Sequence, residues 1–153
     1  MRSFADALYT IALTLWVGGL WAVGYLVAPT IFSTLADRQM AGMLAGKLFS
    51  MIGWVGLFCA AYLLLSMLLR LGGAALKRGV FWLVVVMLLL TAISQFGLQP
   101  WIAQLKAEAL PREVMESVVR DRFATWHGIS SILYLVQSLL GLLLVVGGAR
   151  GVK

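Results

Sequence analysis

His127 is the single histidine of the chain, and it opens a series that a helix would line up. Steps of three and four residues lead from it to Ser130, Ser131, Tyr134, Gln137, Ser138 and Gly141. On a helix this puts an imidazole, several hydroxyls and an amide on one face. Inside a membrane such a stripe must face protein, because a polar group left without a partner in hydrocarbon costs several kcal/mol. The imidazole suits three kinds of work: ligating a haem or copper, relaying a proton, or hydrogen bonding to Asp121, Arg122 or the polar loop beside them. The last, structural use is the expectation. Gln95 and Gln99 lie one turn apart, with Thr91 and Ser94 nearby. Together with His127, Ser130, Ser131, Tyr134 and Gln137 they form a candidate polar intramembrane site. Hydrogen bonding between helices is the expected use of the amides, and lining a polar cavity is the alternative.

Metal chemistry has few ligands to draw on. Structural and catalytic sites collect three or four donors, whereas this chain has one histidine, the lone Cys59, and methionines such as Met40, Met43, Met51, Met67, Met87 and Met115 that share no short motif. No metal or cofactor is therefore expected, and His127 is only a weak candidate ligand. The sequence shows no glycine-rich phosphate loop, no spacing that indicates a Ser-His-Asp set, and no charge in the middle of an apolar run of the type a proton-driven pump uses. No catalytic residues are expected, and the chain reads as non-enzymatic.

The elements that must hold these residues follow from composition. Of 153 residues, 62% are hydrophobic and 12% charged, about half the charged share of soluble domains. Four windows carry no Asp, Glu, Lys or Arg: Ala7 to Ala36, Leu48 to Leu69, Gly79 to Leu105 and Phe123 to Ala149. Each exceeds the roughly 20 residues needed to cross a bilayer core. Arg2 and the small residues of Ala22-Val23-Gly24 resemble a signal peptide, but the apolar run continues through YLVAPTIF and Asp6 interrupts the basic start. A retained first span is expected. The predicted fold is a single all-α membrane domain over residues 1–153, with four transmembrane helices at about 4–32, 51–69, 80–99 and 125–146 in an antiparallel bundle.

Between the spans, LADRQMAGMLAGKLFSMIGW repeats apolar residues at helical spacing, and so does the segment after Pro111 through Val114, Val118, Val119 and Phe123. The first reads as an amphipathic stretch lying on the membrane or leading into the second span, and the second as a short surface helix, which gives short amphipathic interfacial helices in loops one and three. Pro100 is expected to end the third helix. In the first helix, Gly18 and Ala22, Gly19 and Val23, and then Gly24 set small residues on adjacent faces, a pattern for close helix packing. Trp16 and Trp21 either pack in the same crevice or face lipid.

The net charge of +6 comes from cations flanking apolar runs, where anionic headgroups attract them, so the expected partner is the lipid bilayer and not nucleic acid. Arg70, Lys77 and Arg78 crowd one short connector, which places that connector and both termini in the cytoplasm. Other membrane proteins, or further copies in a homo-oligomer, are the remaining expected partners.

Two stretches carry a family likeness: LWVGGLWAVGYLVAPTIFSTL with AGMLAGKLF, between Leu15 and Phe49, and RFATWHGISSILYLV, between Arg122 and Val136. They resemble the bacterial four-helix membrane proteins of unknown function grouped with the eukaryotic transmembrane protein 205-like family. The His-Gly-x-Ser-Ser pattern at His127, Gly128, Ser130 and Ser131 is the more specific part. Members of that family often carry an asparagine one turn past the serines, where this chain has Tyr134. A weaker likeness joins it to the copper-resistance protein D type, whose first helix often has a histidine before WVGG. Here Tyr9 stands near that place, which removes a ligand. The resemblance implies a four-helix integral membrane protein of the bacterial inner membrane, either an accessory or assembly protein or a small oligomeric transporter or metal- or drug-tolerance factor. A haem-binding redox protein is a third reading.

Overall fold

A computed structural model describes residues 2–109 and 117–151, with side chains over residues 4–104 and 125–147. Helix α1 spans Arg2–Ala22, and a wider turn of π-helix over Val23–Val27 joins it to α2 at Ala28–Thr34. After a short break, α3 runs unbroken over Arg38–Leu71 and passes through a 3-10 segment, Gly72–Lys77, to α4 at Gly79–Ala92. A second π segment, Ile93–Leu98, leads into α5 at Gln99–Ala109, and α6 covers Ser117–Gly151. Among the described residues four helical spans are long and apolar enough to cross a membrane: Phe4–Thr34, Arg38–Lys77, Gly79–Gln104 and Thr125–Gly147.

The amphipathic stretch after the first span does not form a helix of its own. Asp37 caps it, its carboxylate accepting from the backbone N–H groups of Gln39 at 2.8 Å and Met40 at 3.1 Å. From that cap the helix propagates straight into the second span, because nothing between Arg38 and Leu71 removes a backbone donor. The resulting 34 residues extend about 51 Å at about 1.5 Å per residue, well beyond a hydrocarbon core of about 30 Å. Gly72, at φ 53°, terminates the helix with a backbone conformation that side-chain-bearing residues avoid. The helix expected from Pro111 begins outside the described residues, and from Ser117 the chain is already continuous with α6.

Pro100 does not end the third span; it lies within α5, directly after the π segment. Pro29 stands in the same relation to the first π segment. A proline ring clashes with the carbonyl four residues before it and donates no hydrogen bond. Those carbonyls belong to Tyr25 and Phe96, both inside the π segments. There the ladder widens to five-residue steps: Ala28 N–H donates to Val23 O, and Gln99 N–H donates to Ser94 O. The wider turn makes room for the ring, so the helix continues past the proline.

The spans pack in sequence, α1 on α3, α3 on α4 and α4 on α6, and α6 returns to α1. All four supply the central core: Leu13, Trp16, Val17 and Leu20, then Cys59, Ala60 and Leu63, then Val84 and Met87, and finally Leu144. Trp16, only 1% exposed, lies against Gly56, where a Cβ would stand 2.5 Å from the indole nitrogen. No more than 33% of any span's most apolar window is buried inside the protein. Phe58, Leu69 and Ile132 point outward, as helices that meet hydrocarbon on their outer faces should.

Candidate polar site within the spans

The polar stripe of α6 divides along its length. Gln137, Ser138 and Gly141 are buried, Ser130 and Tyr134 are half-buried, and His127 and Ser131 are exposed. Beside His127, Trp126 still stacks on Trp101 of the third span at 6.1 Å, so the helix stays in contact with its neighbour there while this face of it is exposed. The His127 carbonyl accepts the Ser131 hydroxyl at 2.9 Å. Asp121 and Arg122, named as partners for the imidazole, lie outside the residues whose side chains are described.

Deeper in, the stripe is used to join helices. Gln137 Nε2 donates to Thr91 Oγ1 at 2.5 Å, and the Thr91 hydroxyl in turn donates to Met87 O at 2.8 Å. This chain links α6 to α4 through a buried amide and a buried hydroxyl. On the α1 side, Trp21 Nε1 donates to Ser138 O at 3.2 Å, while the Ser138 hydroxyl turns back to Tyr134 O at 2.8 Å. Tyr134 donates its hydroxyl to the carbonyl of Leu20. Its ring lies over Gly24, where any Cβ would collide with it. Phe49 of α3 meets the same ring edge-on at 5.0 Å, and Tyr25 approaches it at 6.3 Å.

Gln95 and Gln99 do not act together. Gln95 is buried in the second π segment and donates through Nε2 to Ser50 Oγ of α3 at 2.9 Å, whereas Gln99 is half-buried one turn on. The Gln95 carbonyl oxygen sits against Gly53, which has no room for a side chain. The amides of Gln95 and Gln137 therefore serve different helix pairs, one joining α4 to α3 and the other α4 to α6. Among the described residues no buried side-chain nitrogen or oxygen lacks a hydrogen-bond partner, as the cost of an unpaired polar group in hydrocarbon demands.

The small residues of the first helix also separate. Gly19 faces Ile52 and Gly24 faces Tyr134, but a Cβ at Gly18 would meet nothing within 4 Å. Ala22 is half-buried. Sequence reasoning did not single out Ser50, Gly53 and Gly56, which receive Gln95 and Trp16. The pair GWVG at 53–56 is the signal that was present: small residues one turn apart, facing bulky residues on two neighbouring spans.

Among the described residues no three His, Cys, Asp or Glu side chains gather in a way that could hold a metal. Cys59 is buried in the apolar core. The arrangement is suited to fixing helices against one another.

A family model described as a domain of unknown function (DUF4149) matches residues 11–111. That stretch contains Gly19, Gly24, Ser50, Gly53, Thr91 and Gln95, and stops short of α6. Neither the comparison with curated proteins nor that with solved structures finds a match.

Proposed function

The chain belongs to the DUF4149 family, and we propose that it is a non-enzymatic, multi-pass protein of the bacterial inner membrane that holds or helps assemble other membrane proteins. In this reading the spans form an antiparallel four-helix bundle with both termini in the cytoplasm. Arg70, Lys77 and Arg78, all exposed around one short connector, support that orientation. The observation that carries the reading is how the polar groups inside the spans are used. Gln137, Gln95, Tyr134 and Trp21 each donate to a neighbouring helix, which leaves the outer surface as the working surface. On that surface Trp54, Phe58 and Phe96 are exposed, and the Trp54 ring meets both phenyl rings; large aromatic side chains are the usual anchors of protein contacts. A photocrosslinking residue in place of Phe58 or Phe96, activated in native membranes, is expected to trap the same partner reproducibly. Recovery of monomer alone would overturn the assignment.

A small oligomeric transporter or tolerance factor is the second reading. It draws on two polar pairs between spans, Gln95 with Ser50 and Gln137 with Thr91, and four helices per chain require several copies for a pore. Flux of metal ions or cationic drugs into liposomes, lowered by Gln137→Leu and His127→Ala, would favour it over the first. The His127-Gly128-x-Ser130-Ser131 likeness to the transmembrane protein 205-like proteins lies outside the matched residues and rests on the sequence pattern alone. A haem-binding role would appear as a Soret band in protein purified from its own membranes and would be lost in His127→Ala. The accessory reading expects no such band.

A further inference from the structure

One residue separates each π segment from a proline, and a polar side chain that spans two helices clasps each segment or the turn just before it. In the first, the Leu20 carbonyl accepts the Tyr134 hydroxyl, and Gly24 receives the ring. In the second, Gln95 itself reaches across to Ser50 and rests on Gly53. The two clasps meet on consecutive residues of α3: Phe49 packs edge-on against Tyr134 at 5.0 Å, and Ser50 accepts from Gln95 at 2.9 Å. A widened turn has a competing arrangement, the ordinary α-helical step, which would rotate the segment beyond it by about 100°. The proline ring opposes that step, and each clasp ties its π segment, or the helical turn just before it, to a neighbouring helix.

We propose that the two π turns are hinges of one coupled device, in which α2 and α5 shift together, Tyr134 and Gln95 are the latches, and the Phe49–Ser50 turn of α3 is the link. A side chain that moves to release one π turn displaces the α3 residue whose neighbour holds the other. The proposal stands apart from the accessory reading, because a hinged end serves a partner-binding protein and a transporter equally.

The test is hydrogen exchange by mass spectrometry on the full chain in lipid nanodiscs. Tyr134→Phe keeps the ring over Gly24 and removes only the hydroxyl. It is expected to raise exchange about fivefold in the segment 20–28, the size of one lost hydrogen bond. The same variant is also expected to raise exchange in 93–99, whereas the hydrogen bond and ring contacts of Tyr134 go to Leu20, Tyr25 and Phe49. Coupling between sites is reciprocal, so Gln95→Leu should loosen 20–28 as well as 93–99. Thr91→Val removes the hydroxyl that receives Gln137 and leaves both clasps intact, so it should move neither segment. If each latch variant loosens only its own segment, or if Thr91→Val loosens both as much as Tyr134→Phe does, the coupled hinge is overturned.

Discussion

The two ends of the helix cluster are closed in different ways. At the end holding the connector between α3 and α4, the chain turns within a few residues and the closure is local and apolar. Ala75 is fully buried against Met67 and Phe81, Trp82 Nε1 donates to Leu76 O at 2.9 Å, and an exposed ion pair joins Arg70 to Asp6. At the opposite end the helices overrun the apolar core, two prolines interrupt the ladders, and closure depends on Tyr134 and Gln95 reaching across to other helices. A short connector holds its neighbours by proximity in sequence. Long helices without a short connector between them need side chains to do so, here the Tyr134 hydroxyl on the Leu20 carbonyl and the Gln95 amide on the Ser50 hydroxyl.

The largest effect should come from filling the cradle at the proline end. Gly24→Leu would force the Tyr134 ring aside and break its hydrogen bond to Leu20, lowering stability by about 2–3 kcal/mol. Unfolding in mixed micelles followed by circular dichroism measures it, and a neutral result would remove the ring clasp from the comparison. Gln95→Leu deletes one buried hydrogen bond between helices, for which about 1 kcal/mol is expected. Because that bond joins uncharged groups, the loss should not change between low and high salt.

Asp6→Asn at the other end should cost under about 1 kcal/mol, since its ion pair is exposed. Unlike the Gln95 effect it should fade as salt rises, and a salt-independent loss would erase the distinction between the ends. The smallest effect belongs to Gly18→Leu, expected within about 0.5 kcal/mol of the parent because no atom of the protein lies near its Cβ direction. Gly19→Leu, which meets Ile52, serves as its destabilised counterpart in the same assay.

Much of the architecture is legible in the sequence because the signals involved are local. Uncharged runs long enough to cross a membrane locate the four spans, and the stripe on α6 is visible from spacing alone. Spacing also marks the segment after Asp37 as helical, but it does not choose between a surface helix and a lead into the second span; in the structure α3 begins there and runs on. Proline chemistry indicates a break at Pro100; the alternative of a widened turn depends on Gln95 having Ser50 and Gly53 to bind.

The sequence by itself determined an all-helical chain with four apolar spans, a polar stripe on α6, of which the structure buries Gln137 and Ser138 and leaves His127 and Ser131 exposed, and cations gathered at one connector. These follow from the free energy of putting single groups into hydrocarbon, which needs no knowledge of neighbours. Only the tertiary structure decided that Gly19 packs while Gly18 faces outward, that Gln95 and Gln137 join different helix pairs, and that Tyr134 clasps the first π turn. Each of these is a choice between faces about 100° apart on one helix, and the partner that makes the choice lies from 33 to 114 residues away in the chain.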